Sequence, residues 1–132
     1  MQDYHDLKIW QRSHALALAT FRVTARMPRR GHSKLISQIR GAAGSVPATI
    51  VEGCERGTNA DFARFLDMSV ASAGELEYHL ELAHGLHLIG TPAFMRLVDE
   101  IKQIKRMTVA LIARVRGDDG KGGKDGKNGN TT

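Results

Sequence analysis

The sequence has few cysteines and prolines and no long apolar run. A single cysteine excludes an intramolecular disulfide, and the three prolines leave long stretches free to form helix. No apolar run approaches the roughly 20 residues that span a bilayer. The N-terminus has no basic segment followed by an apolar one, so no signal peptide is expected. These absences predict a cytoplasmic protein with no membrane partner.

Apolar residues recur at helical spacing, and nothing alternates with period two for long enough to predict a sheet. The first helix is predicted over about residues 6–26, with a core face made of Leu7, Trp10, His14, Ala17 and Phe21. A second begins near Ser33, and a third opens with a capping box at Thr58 and ends at Gly90. The fourth begins at Thr91 and ends at Gly117.

Four helices joined by short turns predict an all-α fold, an antiparallel up-down-up-down four-helix bundle. Pro47 falls within the second helix and predicts a kink there, because proline removes a hydrogen bond and clashes with the preceding turn. The predicted bundle domain is residues 1–117. Residues 118–132 carry no apolar group and are predicted to be a disordered tail rich in Gly, Lys and Asp.

The stretch 41–57, GAAGSVPATIVEGCERG, has the small residues of a catalytic or phosphate-binding loop. However, no lysine and hydroxyl follow its glycines, as a phosphate-binding loop requires, and Pro47 stands where a nucleophile elbow needs glycine. Cys54 lies between Glu52 and Glu55, which disfavour a thiolate. The small side chains instead predict close approach of the third helix, so this stretch is scaffold.

Glu81 and His84 have the Glu-x-x-His spacing of di-iron bundles, in which such pairs bind metal. Such a site needs a second copy of the motif and further carboxylates, and the sequence has no second copy. A surface Glu–His pair is the simpler interpretation. We therefore expect no enzyme activity, no catalytic residue, no metal and no cofactor.

Charge is segregated along the chain. Residues 1–33 carry six Lys/Arg against two Asp/Glu, and residues 92–117 carry the same balance, whereas residues 58–91 carry one Arg against five acids. A solvated face balanced within the chain would explain this pattern. So would a phosphate-binding surface, or an acidic face of one subunit against a basic face of the next.

Two sets of candidate residues follow from the charges. The nucleic-acid-binding candidates are basic residues of the first turn and of the second and fourth helices: Arg29, Arg30, Arg40, Arg96, Lys102, Lys105 and Arg106. The subunit-interface candidates are acids of the third helix: Asp67, Glu75, Glu77 and Glu81.

With these segments the chain resembles the four-helix bundle proteins encoded in 23S rRNA intervening sequences, which are related to accessory proteins of diversity-generating retroelements. The resemblance covers about residues 6–116 and rests on DLKIWQRSHALA, QIRGAAGSVPATIVEGCERG, DFARFLDMSVASAGELEYHLELA and IKRMTVALI. It implies a homopentameric ring with a role in RNA binding and no enzyme chemistry. Where family members often have two basic residues, this chain has Arg40 and Gly41.

The leading hypothesis is a non-enzymatic homo-oligomer that binds structured RNA through backbone contacts. The alternative is a protein-interaction scaffold, for example an accessory factor of a reverse transcriptase, whose charged faces hold the ring together.

Overall fold

The protein is built from helices alone. The computed structural model describes residues 2–128, with side chains for residues 2–118. A short 3₁₀ helix (Tyr4–Asp6) precedes four α-helices: α1 (Lys8–Thr24), α2 (Ser33–Cys54), α3 (Asn59–Gly85) and α4 (Thr91–Asn128). No strand occurs within residues 2–128. Each helix packs against the next, and α1 also packs against α4, which is the arrangement of a four-helix bundle. The predicted all-α class is confirmed.

Ion pairs between α3 and α4 run in opposite order along the two helices. Glu77 pairs with Lys105, and Asp67, farther back on α3, pairs with Arg116, farther forward on α4. This order favours the antiparallel arrangement, which stays a prediction for the bundle as a whole. Pro47 lies buried inside a continuous α2, and the kink there also stays a prediction.

The hydrophobic core has two parts. One lies toward the α1–α2 and α3–α4 turns and includes Leu16, Ile36 and Leu80, each at most 2% exposed. The other lies toward the N-terminus and the α2–α3 turn, and includes Ile50 and Leu66. Both parts draw on more than two helices, so the bundle is held together along its length.

The predicted core face of α1 is right only in part: Ala17 is buried, and Leu7 and Trp10 are half-buried against the core. His14 and Phe21 are exposed, and the residues that face the core are Ile9, Ser13, Leu16, Ala17, Thr20 and Thr24. Thr20 fits there because its hydroxyl donates to the Leu16 carbonyl one turn earlier, at 2.8 Å. A threonine whose hydroxyl is satisfied by its own helix packs almost as an apolar residue, so Thr20 can occupy a core position.

The close approach of α2 and α3 is confirmed. Ala42 and Ala43 are buried, and the hydroxyl of Ser45 lies 2.9 Å from that of Ser72. At the far end, a Cβ added to Gly53 would lie 2.9 Å from the Cβ of Phe65. Small residues are needed here because larger ones would separate the two helices.

The end of α3 differs from prediction. The helix ends at Gly85, and the left-handed residue that closes it is His87, with φ 62°, rather than Gly90. The Leu88 N–H donates to the Ala83 carbonyl at 2.9 Å, and the His87 N–H donates to the His84 carbonyl at 3.0 Å. These two bonds form a Schellman motif with histidine in the place that glycine usually takes.

Helix α4 continues to Asn128, past the predicted end at Gly117. No proline interrupts residues 118–128, and each glycine there costs a helix only about 1 kcal/mol relative to alanine. The division between bundle and tail stays a prediction, and residues 129–132 lie outside the described residues. In the described part of the chain, no helix has both the length and the hydropathy to cross a membrane.

Candidate nucleic-acid interface

The turn between α1 and α2 presents two arginines to solvent. Gly31 turns the chain with φ 84°, and the Arg29 carbonyl accepts hydrogen bonds from the His32 N–H and the Ser33 hydroxyl. These bonds hold the backbone of the turn and leave both guanidinium groups outside it. Arg29 and Arg30 are exposed, and neither has an acidic partner among the residues whose side chains are described.

The Arg40 side chain makes its contacts within the protein. It is half-buried on α2, and its Nε donates to the Thr24 hydroxyl at 2.7 Å. Its guanidinium also lies 5.1 Å from the centre of the Phe21 ring, a cation–π distance. Arg40 therefore connects α2 to α1, and only its remaining N–H groups are available to an external ligand.

The four nucleic-acid-binding candidates on α4 divide among three directions. Lys105 points to α3, where its Nζ lies 3.3 Å from a Glu77 carboxylate oxygen. Lys102 and Arg106 lie one turn apart on the same face, exposed and without an ion pair among the described side chains. Arg96 points to α1. The basic candidates that the sequence predicts for one binding surface on α4 therefore lie on different sides of this helix.

Arg96 shares a groove with Arg22 of α1 and with Arg26 of the turn that follows α1. Arg22, Arg26 and Arg96 line a surface groove of about 440 Å³. We call it the α1/α4 groove. Helix α1 contributes Ala19, Arg22 and Val23, α4 contributes Ala93 and Arg96, and the adjoining turns contribute Arg26 after α1 and Leu88, Ile89 and Gly90 before α4. A depression of about 310 Å³ continues it along the same two helices. Three cations around an apolar floor suit a ligand that is both anionic and apolar.

Glu100, an acid beside this groove, is already paired within the protein. Glu100 lines the continuing depression and accepts hydrogen bonds from Arg12 Nε at 2.8 Å and Nη2 at 2.6 Å. The hydrogen bond to Glu100 raises the pKa of Arg12 above its ordinary value. The positive field of Arg22, Arg26 and Arg96 is therefore not cancelled by Glu100.

The four acidic candidates on α3 fall into two pairs. Asp67 and Glu77 form ion pairs with α4, to Arg116 at 2.5 Å and to Lys105 at 3.3 Å. Glu75 has only His79 nearby, 3.9 Å away, and Glu81 is exposed without an ion pair in the described side chains. Their role at a subunit interface stays a prediction, and Glu75 and Glu81 are the two that remain available for it.

Sequence reasoning missed the grouping of Arg22 and Arg26 with Arg96. One signal was present: residues 8–51 contain eight Lys/Arg and no Asp/Glu. Lysines and arginines on α1 and the first turn therefore have no acidic neighbour in this part of the sequence. They can form an ion pair only with an acid of another helix, as Arg12 does with Glu100. Which cations stay free depends on the packing of α4 on α1.

The stretch 41–57 carries no exposed nucleophile. Cys54 is buried, and burial raises the pKa of its thiol, helped by the charges of Asp3 and Glu55. A raised pKa keeps the thiol protonated and unreactive near neutral pH. The stretch packs α2 against its neighbours, as the scaffold interpretation predicts.

The Glu-x-x-His pair also has a structural contact. The His84 Nε2 lies 3.0 Å from the Thr91 hydroxyl, and its ring stacks on Phe94 at 4.3 Å, so it connects α3 to the start of α4. Among the described side chains, no group of three or more His, Cys, Asp or Glu is arranged to hold a metal ion.

Comparison with known proteins identifies the family of this four-helix bundle. The family model described as 23S rRNA-intervening sequence protein matches residues 5–110. The chain belongs to this family, and the resemblance seen in its sequence is confirmed.

A solved structure has the same fold. It is a crystal structure of a protein of unknown function from the S23 ribosomal protein family of Bacteroides thetaiotaomicron VPI-5482. The TM-score is 0.71 at 21% identity, over 79% of this chain and 97% of that one. A comparison with curated proteins finds no match. At this identity, the likeness concerns the fold alone.

Proposed function

We propose that the protein binds structured RNA through the phosphate backbone, as a homo-oligomer that carries out no reaction and needs no cofactor. The observation that carries the proposal is the exposed pair Arg29 and Arg30, presented by a hydrogen-bonded turn and free of acidic partners among the described side chains. Backbone binding needs clustered positive charge and little else. We also propose a cytoplasmic location, where structured RNA is abundant.

Two features support a contact with RNA beyond the turn. Lys102 and Arg106 form a second exposed basic pair on α4. Assembly would repeat each pair around the oligomer and raise the effective concentration of phosphate contacts. The number of subunits, five, is proposed from the family resemblance.

The experiment compares two double variants that each remove two positive charges. Arg29→Gln/Arg30→Gln alters the turn, whereas Arg56→Gln/Arg64→Gln alters arginines that already pair with Glu52 and Asp61 at the α2–α3 turn. Binding of a labelled structured RNA is measured over a salt series, with duplex DNA as competitor. Melting curves check that both variants fold.

We expect the turn variant to lose about tenfold or more in affinity and to reduce the salt slope by about two, as expected when two phosphate contacts are removed. The control should lose much less. Lys102→Gln/Arg106→Gln tests α4 in the same way. Equal losses in all three variants would show that net charge alone is at work and would overturn the assignment to the turn.

A protein-interaction scaffold is the second candidate. It is favoured by large apolar residues on the surface of α3, namely Tyr78 at 56% exposed and Leu82 at 39%, which binding to an RNA backbone does not explain. If the wild-type protein binds no RNA at low salt, this function takes precedence and the search turns to a protein partner such as a reverse transcriptase.

A further inference from the structure

The α1/α4 groove has the form of a site for a helix. Its floor is made of small or apolar side chains, among them Ala19, Val23 and Ala93, and the depression beyond it continues along the same two helices. Arg22, Arg26 and Arg96 line it, and no acid lies among the residues that line the 440 Å³ groove. An amphipathic helix with apolar residues at helical spacing and carboxylates beside them would fit such a site.

The same chain carries a helix of that description. Ala71, Glu75, Tyr78, Leu82 and Gly85 follow one another on α3 at spacings of four, three, four and three residues, and all five are exposed. We call this face the α3 ridge. Residues at this spacing share one face of a helix. Glu81 lies beside the ridge, one turn from Tyr78, and neither Glu75 nor Glu81 pairs with a lysine or arginine among the described side chains.

We propose that the α3 ridge of one copy docks into the α1/α4 groove of a second copy. This inference rests on the homo-oligomer of the proposed function and specifies its contact. Tyr78 and Leu82 would cover the apolar floor, and Glu75 and Glu81 would face Arg22, Arg26 and Arg96. Complementary charge fixes which surfaces meet, and covering exposed aromatic and aliphatic residues supplies the driving force.

The contact would be heterologous, because the groove and the ridge are different surfaces of the chain. Each added copy then leaves one groove and one ridge open, so the assembly either closes into a ring or grows as a filament. The proposal also separates two sets of cations: the groove arginines hold subunits together, whereas Arg29 and Arg30 remain outside the contact for RNA.

The test reverses the charge of each surface and measures native mass without RNA. Arg22→Glu/Arg96→Glu should turn the groove negative, and Glu75→Lys/Glu81→Lys should turn the ridge positive. Each variant alone is expected to lose the oligomer and to run as the 14.5 kDa chain. Lys102→Glu/Arg106→Glu is the matched control: it changes net charge as much as the groove variant does, lies outside both surfaces, and should keep the wild-type mass.

Mixing the two reversed variants gives the decisive result, because it also guards against loss of folding. A negative groove then meets a positive ridge, and a positive groove meets a negative ridge, so larger assemblies should return in the mixture. The four substitutions combined in one chain should likewise restore self-assembly. A reversed groove or ridge that keeps the wild-type mass, a mixture that stays monomeric, or a monomeric wild-type protein would each overturn the proposal.

Failure of this proposal is distinguishable from failure of RNA binding. Native mass is measured without RNA, and the RNA experiment uses Arg29 and Arg30, which the reversals leave intact. A protein that assembles through groove and ridge but binds no RNA contradicts the RNA proposal alone. A wild-type oligomer that keeps its mass when the groove or the ridge is reversed contradicts the docking proposal alone. A wild-type monomer that still binds RNA through the turn contradicts both the docking proposal and the proposed homo-oligomer, and leaves RNA binding in place.

Discussion

Two helix–helix interfaces of this bundle use small residues to opposite effect. Between α2 and α3, small residues bring the helices together: the Ser69 hydroxyl donates to the Val46 carbonyl at 2.8 Å, and Gly53 lies against Phe65. Between α1 and α4, Ala19 and Ala93 instead leave a groove open to solvent. The α2/α3 interface is closely packed, whereas the α1/α4 interface leaves the groove in which we propose that a second copy docks.

The largest expected effect is at Gly53, in the closest part of the α2/α3 interface. Gly53→Ala would place a Cβ 2.9 Å from the Phe65 Cβ and 3.2 Å from the Phe62 ring, so backbone and rings must shift. We expect a loss of about 2 kcal/mol in the free energy of unfolding, as for other overpacked sites. Urea unfolding measures it.

Gly44→Ala, in the same helix, is the control. A Cβ there meets nothing within 4 Å, so the higher helix propensity of alanine should stabilise the protein by up to about 1 kcal/mol. Equal destabilisation by the two substitutions would contradict the close approach of α3 at Gly53.

An intermediate effect is expected at Ser69, which is 1% exposed. Ser69→Ala removes the hydrogen bond to the Val46 carbonyl but keeps the small volume that the α2/α3 interface needs. We expect a loss of about 1 kcal/mol in the free energy of unfolding, the net contribution of a typical buried hydrogen bond. Ser37→Ala, on the exposed side of α2, should change stability far less, and equal losses would contradict a special role for Ser69.

The smallest effect on stability is expected at Ala19, in the α1/α4 groove. Ala19→Leu adds its side chain to a space open to solvent, so the free energy of unfolding should change by less than about 0.5 kcal/mol. The same substitution should fill the groove and reduce assembly in native mass measurements. A loss of stability as large as that of Gly53→Ala would show that α1 and α4 pack as tightly as α2 and α3.

The fold followed from sequence because helical periodicity and the Pro and Gly residues between helices are local signals. The inward face of α1 followed only in part, because His14 and Phe21 have the spacing of a core face but are exposed, while Thr20 and Thr24 are buried. Trp10 is half-buried against the core, and its ring stacks on that of His14, with ring centres 4.8 Å apart. The spacing of the large residues predicted a core face on α1. It could not show that the buried face includes Thr20 and Thr24 rather than His14 and Phe21.

The candidate site could be predicted from the sequence only where its residues are neighbours along the chain. The exposure of Arg29 and Arg30 follows from their place in a turn. Arg22 and Arg96 are more than seventy residues apart in sequence and meet only because α1 packs against α4. Likewise, nothing in the sequence showed that Lys105 would be neutralised by Glu77 while Lys102 would not.

The most direct test of the central claim is the affinity of the wild-type protein for a structured RNA as salt is raised. With about six phosphate contacts, we expect the affinity to fall roughly a thousandfold between about 50 and 200 mM salt. Duplex DNA should compete less well than the same RNA unlabelled. Absence of binding at the lowest salt, or an affinity that salt leaves unchanged, would contradict a phosphate-binding function for this bundle.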